Sequence, residues 1–135
     1  MQVVLISCVA KKRESKAMAK DMYISPLFQG AYRYAKKLNP DKIFILSAKY
    51  GLLEETDIIE PYNETLNTKK QNEIRQWSDK IISELEKRTD LREDQFVFLA
   101  GEKYRKYLLD KIKHYSIPLK GLSIGKQLAF YKRCQ

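Results

Sequence analysis

Three short stretches carry residue types suited to handling an anion: Ser7-Cys8, Ser47-Ala48-Lys49-Tyr50-Gly51 and Ala100-Gly101-Glu102. Each follows an apolar run of strand length. Hydroxyls, an ammonium and the backbone amides beside a glycine hold phosphate without a metal. Asp57 and Glu60 are the carboxylates nearest the central stretch, and a positioned carboxylate can act as a general base for water. Asp57 is therefore the candidate catalytic residue, with bracing of its own loop as the structural alternative. Glu60 reads as a surface residue, and Glu102 as an ordinary acid in a first helical turn. Tyr50 and Tyr62 flank the central connection, where they either stack on a base, worth roughly 1–3 kcal/mol, or pin the loop. Lys11, Lys12 and Arg13 open a basic run to Lys20, the expected phosphate-tracking segment. Lys69-Lys70 and Lys103, Arg105 and Lys106 are candidates for its rim.

Other constellations weigh less. Cys8 follows a strand, but a nucleophilic thiol needs a base, and the single histidine, His114, is expected at the end of a distant helix. A buried structural cysteine and a dipole-stabilised histidine are the plainer readings. Gly121…Gly125-Lys126 is too short for a phosphate loop, and Gln127 stands where a magnesium-binding hydroxyl would be needed. No His, Cys or carboxylate cluster has zinc or iron spacing. Neither a metal nor a cofactor is expected.

These residues need a scaffold that brings strand ends together. Gln2–Ile6, Ile43–Leu46 and Gln95–Ala100 are continuous apolar runs, the pattern of parallel strands covered on both faces. Between them, Ser25-Pro26 starts a helix carrying Phe28, Ala31, Ala35 and Leu38, which Asn39-Pro40 stops. Thr65 is expected to cap a long helix whose stripe is Ile74, Trp77, Ile81 and Leu85. Tyr104, Tyr107, Leu108, Ile112 and Tyr115 predict a further helix, Ile117-Pro118-Leu119 an edge strand, and Ser123 a last helix with Leu128 and Tyr131. The segment Lys11–Lys20 reads as a long exposed loop with at most one helical turn. Alternating strands and helices predict one three-layer α/β domain over residues 1–135, with a mainly parallel sheet of about four strands. Right-handed crossovers would then bring the three polar stretches to one edge. There Ser7 and Ser47 would floor a crevice, with Lys49 and the backbone amides beside Gly101 facing the anion, and Cys8 and Gly51 are further binding candidates.

Composition narrows the partners. The 135 residues are 44% hydrophobic and 32% charged, as in soluble globular chains. No apolar run approaches the roughly 20 residues of a membrane span, and Met1–Ile6 reads as a strand rather than a signal peptide. Cys8 and Cys134 lie at opposite ends without metal-like spacing, so a reduced, cytoplasmic protein is expected. With 26 Lys and Arg against 17 Asp and Glu, the net charge is +9. That excess favours nucleic acid or a nucleotide as partner over a membrane, and nine tyrosines can interleave with the cations to stack on bases. A lysine-rich solvated surface is the alternative.

The stretch Ser47-Ala-Lys-Tyr-Gly-Leu-Leu53, followed by Asp57 and Pro61-Tyr62, resembles the signature of the YaaA family of peroxide-stress DNA-binding proteins. Ser47, Tyr50, Gly51, Leu52, Leu53, Asp57, Pro61 and Tyr62 match it. The match spans about twenty residues, and the chain is more similar to short relatives of that family than to its longer members. Glu54-Glu55-Thr56 departs from the basic and proline residues usual there, and Asn63 stands where the family tends to carry arginine. The resemblance implies a related α/β core, a cationic cleft and association with DNA rather than RNA. The leading expectation is a nucleic-acid-binding domain. The alternative is a metal-independent hydrolase of N-glycosidic bonds, similar to DNA glycosylases, and a third reading is an adaptor for acidic protein surfaces.

Overall fold

A computed structural model describes residues 1–7 and 11–135. Its backbone is a five-stranded sheet in the order β4-β3-β1-β6-β7, with helices on both faces. Strands β1 (Gln2–Ser7), β3 (Lys42–Ser47), β6 (Gln95–Leu99) and β7 (His114–Ser116) run parallel. Strand β4 (Gly51–Glu54) is antiparallel to β3. Only three residues join β3 to β4, enough for a hairpin and too few for a crossover. The Ser47–Tyr62 stretch is thus partly a sheet edge.

Alternation along the strands sorts the core into two layers. Val4, Ile6, Ile43, Ile45 and Leu99 face α2 (Pro26–Lys37) and α5 (Ile124–Arg133), where Phe28, Ala31, Ala35 and Tyr131 are buried. Val3, Leu5, Phe44, Leu46, Phe96 and Phe98 face α3 (Gln71–Glu86), where Ile74, Ile81 and Leu85 are buried, together with Tyr104, Leu108 and Ile112. Two of the three predicted helix caps form: Ser25 Oγ accepts from the Phe28 amide, and Ser123 Oγ from the Lys126 amide.

Other expectations are corrected. Thr65 caps only a 3-10 turn, Leu66–Thr68. The long helix starts at Gln71, where Glu73 Oε1 accepts from the Lys70 amide. The helix expected over Tyr104–Tyr115 breaks into α4 (Glu102–Arg105), a 3-10 turn (Leu109–Lys111) and β7. Tyr104, Leu108 and Ile112 do share one buried layer. The chain must nevertheless leave the helical path to pair with β6, and this strand hydrogen bonding outweighs local periodicity. His114 consequently pairs with Gln95 at the start of an edge strand rather than closing a helix. The strand expected at Ile117–Leu119 lies a few residues earlier. The basic run is more ordered than a loop: Lys12 bridges Tyr23, and β2 (Ala17–Met18) pairs with β5 (Ile58–Ile59). One helical turn, α1 (Ala19–Met22), follows.

Opposite the strand C-termini, the Asp94 carboxylate accepts from the Asp90 amide and the Met1 amino group, each at 2.8 Å. Those contacts, the backbone bond foremost, hold its carboxyl below the ordinary carboxylate value. The resulting stabilisation is complete above about pH 4, the unfolded carboxylate value, and is lost as pH falls through the lower folded value. Asp94→Asn should therefore lower the melting temperature at neutral pH. The gap to the wild type should close in acid, a comparison that thermal denaturation across the acid range will check.

Candidate functional site

The parallel strands appear in space as β3-β1-β6-β7, so the direction of winding reverses between β1 and β6. Open α/β sheets place ligand crevices outside the strand ends at such a reversal. A groove of about 1270 Å³ opens here, with Ser7, Ala100 and Gly101 along its floor. Ser7 Oγ accepts from the Gly101 amide at 3.0 Å. That amide, expected to face an anion, is thus occupied. The same bond leaves the Ser7 hydroxyl proton free to donate.

The groove has two unlike walls. One comes from the start of α2, residues 117–122 and α5: Ser25, Phe28, Leu119, Leu122, Gln127 and Tyr131. Burial pushes the Tyr131 hydroxyl up, with Tyr34 and Cys134 adding to it, so this wall stays neutral. The other wall comes from the 3-10 turn, the start of α3, and α4 with the residues after it: Asn67, Lys69, Lys103, Arg105, Lys106 and Tyr107. Arg105 donates to the Ala100 carbonyl at 2.7 Å, and Lys103 to the Asn67 carbonyl at 3.1 Å. Each keeps further N–H donors beyond that bond. Tyr107 lies under the Arg75 guanidinium at 4.3 Å and the Lys106 ammonium at 5.5 Å.

A smaller groove of about 620 Å³ brings Lys11, Lys12, Arg13 and Glu14 against Pro61, Tyr62, Asn63 and Thr65. Lys12 Nζ sits 4.5 Å from the Tyr62 ring centre. The basic run and Tyr62 do meet, but Tyr62 is largely buried. It packs edge-on against Tyr23 and Tyr50, and its hydroxyl lies 2.6 Å from that of Tyr23. A base therefore has little of its ring to stack on.

The remaining sequence-picked residues that are described lie along neither groove. Ser47 is fully buried: its Oγ accepts from the Lys49 and Tyr50 amides, and its carbonyl accepts from Trp77 Nε1 at 2.9 Å. Gly51, at φ +80°, closes that turn in the left-handed region that favours glycine. Lys49 lies 5.4 Å from the Tyr50 ring, whose hydroxyl accepts from the Glu60 amide. Asp57 Oδ2 accepts from the Glu54 amide, bracing the turn after β4. Cys8 falls outside the described residues.

Residues 3–133 match the profile of a protein family described as a family of unknown function, DUF6884. The chain belongs to DUF6884. It is also similar to "Uncharacterized protein YfjM" of Bacillus subtilis (strain 168), at 35% identity over 111 residues, which cover 75% of this chain and 68% of that protein. In this DUF6884 chain the sequence reading picked out Ser7, Lys69, Lys103, Arg105 and Lys106, which line the larger groove, and Lys70, which does not. It missed the apolar wall. The signal was present: helices that follow parallel strands begin at the strand C-terminal edge, so Ser25-Pro26 and Ser123 had to border the crevice.

Proposed function

We propose that this protein binds nucleic acid along its strand C-terminal edge, with DNA preferred. One observation carries the reading: the two grooves share the segment 61–71 as a wall. Thr65 borders the smaller groove, Asn67 and Lys69 the larger. Two residues reach at most about 7 Å, and here the chain turns into the 3-10 helix between them, so the two grooves adjoin. Their linings carry four cations (Lys69, Lys103, Arg105, Lys106) and three (Lys11, Lys12, Arg13), against the carboxylates Glu102 and Glu14. Such a cationic track fits a polyanion better than an isolated anion. The resemblance of the Ser47–Tyr62 stretch to YaaA proteins supports DNA as the polymer. The hydrolytic alternative has less behind it, since its candidate base, Asp57, is held in a turn beside neither groove.

Fluorescence anisotropy with labelled single-stranded DNA tests this reading. If most of the seven cations engage phosphates, log affinity should fall with log salt at a slope on the order of −3 to −5. A flat dependence, or no binding at low ionic strength, would overturn it.

A further inference from the structure

Every charged side chain lining the larger groove (Lys69, Glu102, Lys103, Arg105 and Lys106) stands on the wall built by the 3-10 turn and α4. Among the described residues, the facing wall from α2, residues 117–122 and α5 contributes none. Phe28, Leu119, Leu122 and Tyr131 on that side belong to or pack against one core layer. Ile74, Phe98, Tyr104 and Tyr107 opposite belong to or pack against the other. The division follows the sheet: Phe98 and Leu99 are consecutive residues pointing to opposite faces, and the groove straddles the end of their strand.

Resting on the nucleic-acid reading, we propose that this groove holds one nucleotide unit in a fixed orientation. Its base lies against the uncharged α2/α5 wall, and its phosphate lies over Lys103 and Lys106. A phosphate on the α2/α5 wall would lose hydration without gaining a cation. A base on the opposite wall would displace water from lysines and leave the partly exposed Leu122 and Leu128 and the exposed Ile124 wet. Neither reversed arrangement competes. The groove, at about 1270 Å³, exceeds the roughly 300–1,000 Å³ of usual ligand pockets, so an extended nucleotide fits without rearrangement. Lys103 uses one of its three donors on the Asn67 carbonyl, and the other two remain for phosphate oxygens.

The test is calorimetric titration of the full chain at low salt with deoxyadenosine monophosphate, deoxyadenosine and inorganic phosphate. Single-stranded DNA serves as a separate ligand. The nucleotide should bind at least about tenfold tighter than either half alone, because each wall adds its own free energy. Lys103→Glu should weaken nucleotide and phosphate binding but leave deoxyadenosine binding unchanged. Leu122→Asp should weaken nucleotide and deoxyadenosine binding but leave phosphate binding unchanged. Both side chains are at least partly exposed, and amide spectra would confirm that each variant is folded. Equal loss for all three ligands in either variant would overturn the orientation. If DNA binds but the mononucleotide does not compete with it, the orientation is wrong while the nucleic-acid reading stands. If neither DNA nor nucleotide binds, both are wrong.

Discussion

Lys103→Glu combined with Lys106→Glu should weaken single-stranded DNA binding by about two orders of magnitude at low salt. Both side chains are exposed on the charged wall of the larger groove. Each reversal removes an attraction and adds a repulsion, together on the order of 1–1.5 kcal/mol per site for solvent-screened charges. The fold should survive, because among the described residues the two side chains contribute only the Lys103 bond to Asn67 and the Lys106 contact with Tyr107. Lys132→Glu with Arg133→Glu is the matched control. It changes net charge equally at the far end of α5, away from both grooves. Anisotropy titrations should show the control within about threefold of wild type, as expected when exposed charges act mainly within a Debye length. Equal losses in both variants would mean that net charge, rather than this groove, holds the nucleic acid.

Gly30→Leu should be the most damaging single change to stability, costing about 3 kcal/mol or more. Gly30 is buried in α2 where α5 crosses it, and even a Cβ there would lie 2.7 Å from Tyr131 Cβ. The clash is with the base of a side chain, so relief requires the helices to part. Gly30→Ala is the milder probe, since roughly 1 kcal/mol of improved helix propensity partly offsets its overlap. Thermal denaturation should place the leucine variant roughly 10 °C or more below wild type. Tyr131 and Gln127 line the groove from α5, so nucleotide binding should weaken in variants that still fold. A leucine variant that melts like wild type would show that α5 docks elsewhere.

The frame was legible because its signals are local. Gln2–Ile6, Ile43–Leu46 and Gln95–Ala100 read as buried parallel strands because β-branched and aromatic residues run on without polar interruption, as covered strands require. Ser25-Pro26 and Ser123 marked helix starts through their own capping chemistry. The segment Tyr104–Tyr115 misled because its four-residue apolar spacing suits a helix, whereas its strand pairing is decided by β6, a partner outside the segment. Ser47, Lys49 and Tyr50 misled differently. Their polar types suggest a ligand edge, but a short β3–β4 hairpin and Trp77 turn Ser47 inward to hold its own turn together.

From its residues alone, this chain determines a three-layer α/β scaffold, polar strand ends and a surplus of cations suited to a polyanion. Which strand ends face the crevice was left to tertiary structure. That depends on spatial strand order, and β1 beside β6 sets Ser7 against Gly101 while Ser47 lies one strand further away. Tertiary structure also decided the unequal walls of the groove. Its cations come from one face of the sheet and its uncharged surface from the other, joined only where β6 ends between them. Hydrophobic patterning specifies that a face is buried, whereas which buried faces meet at an edge is a property of the folded sheet.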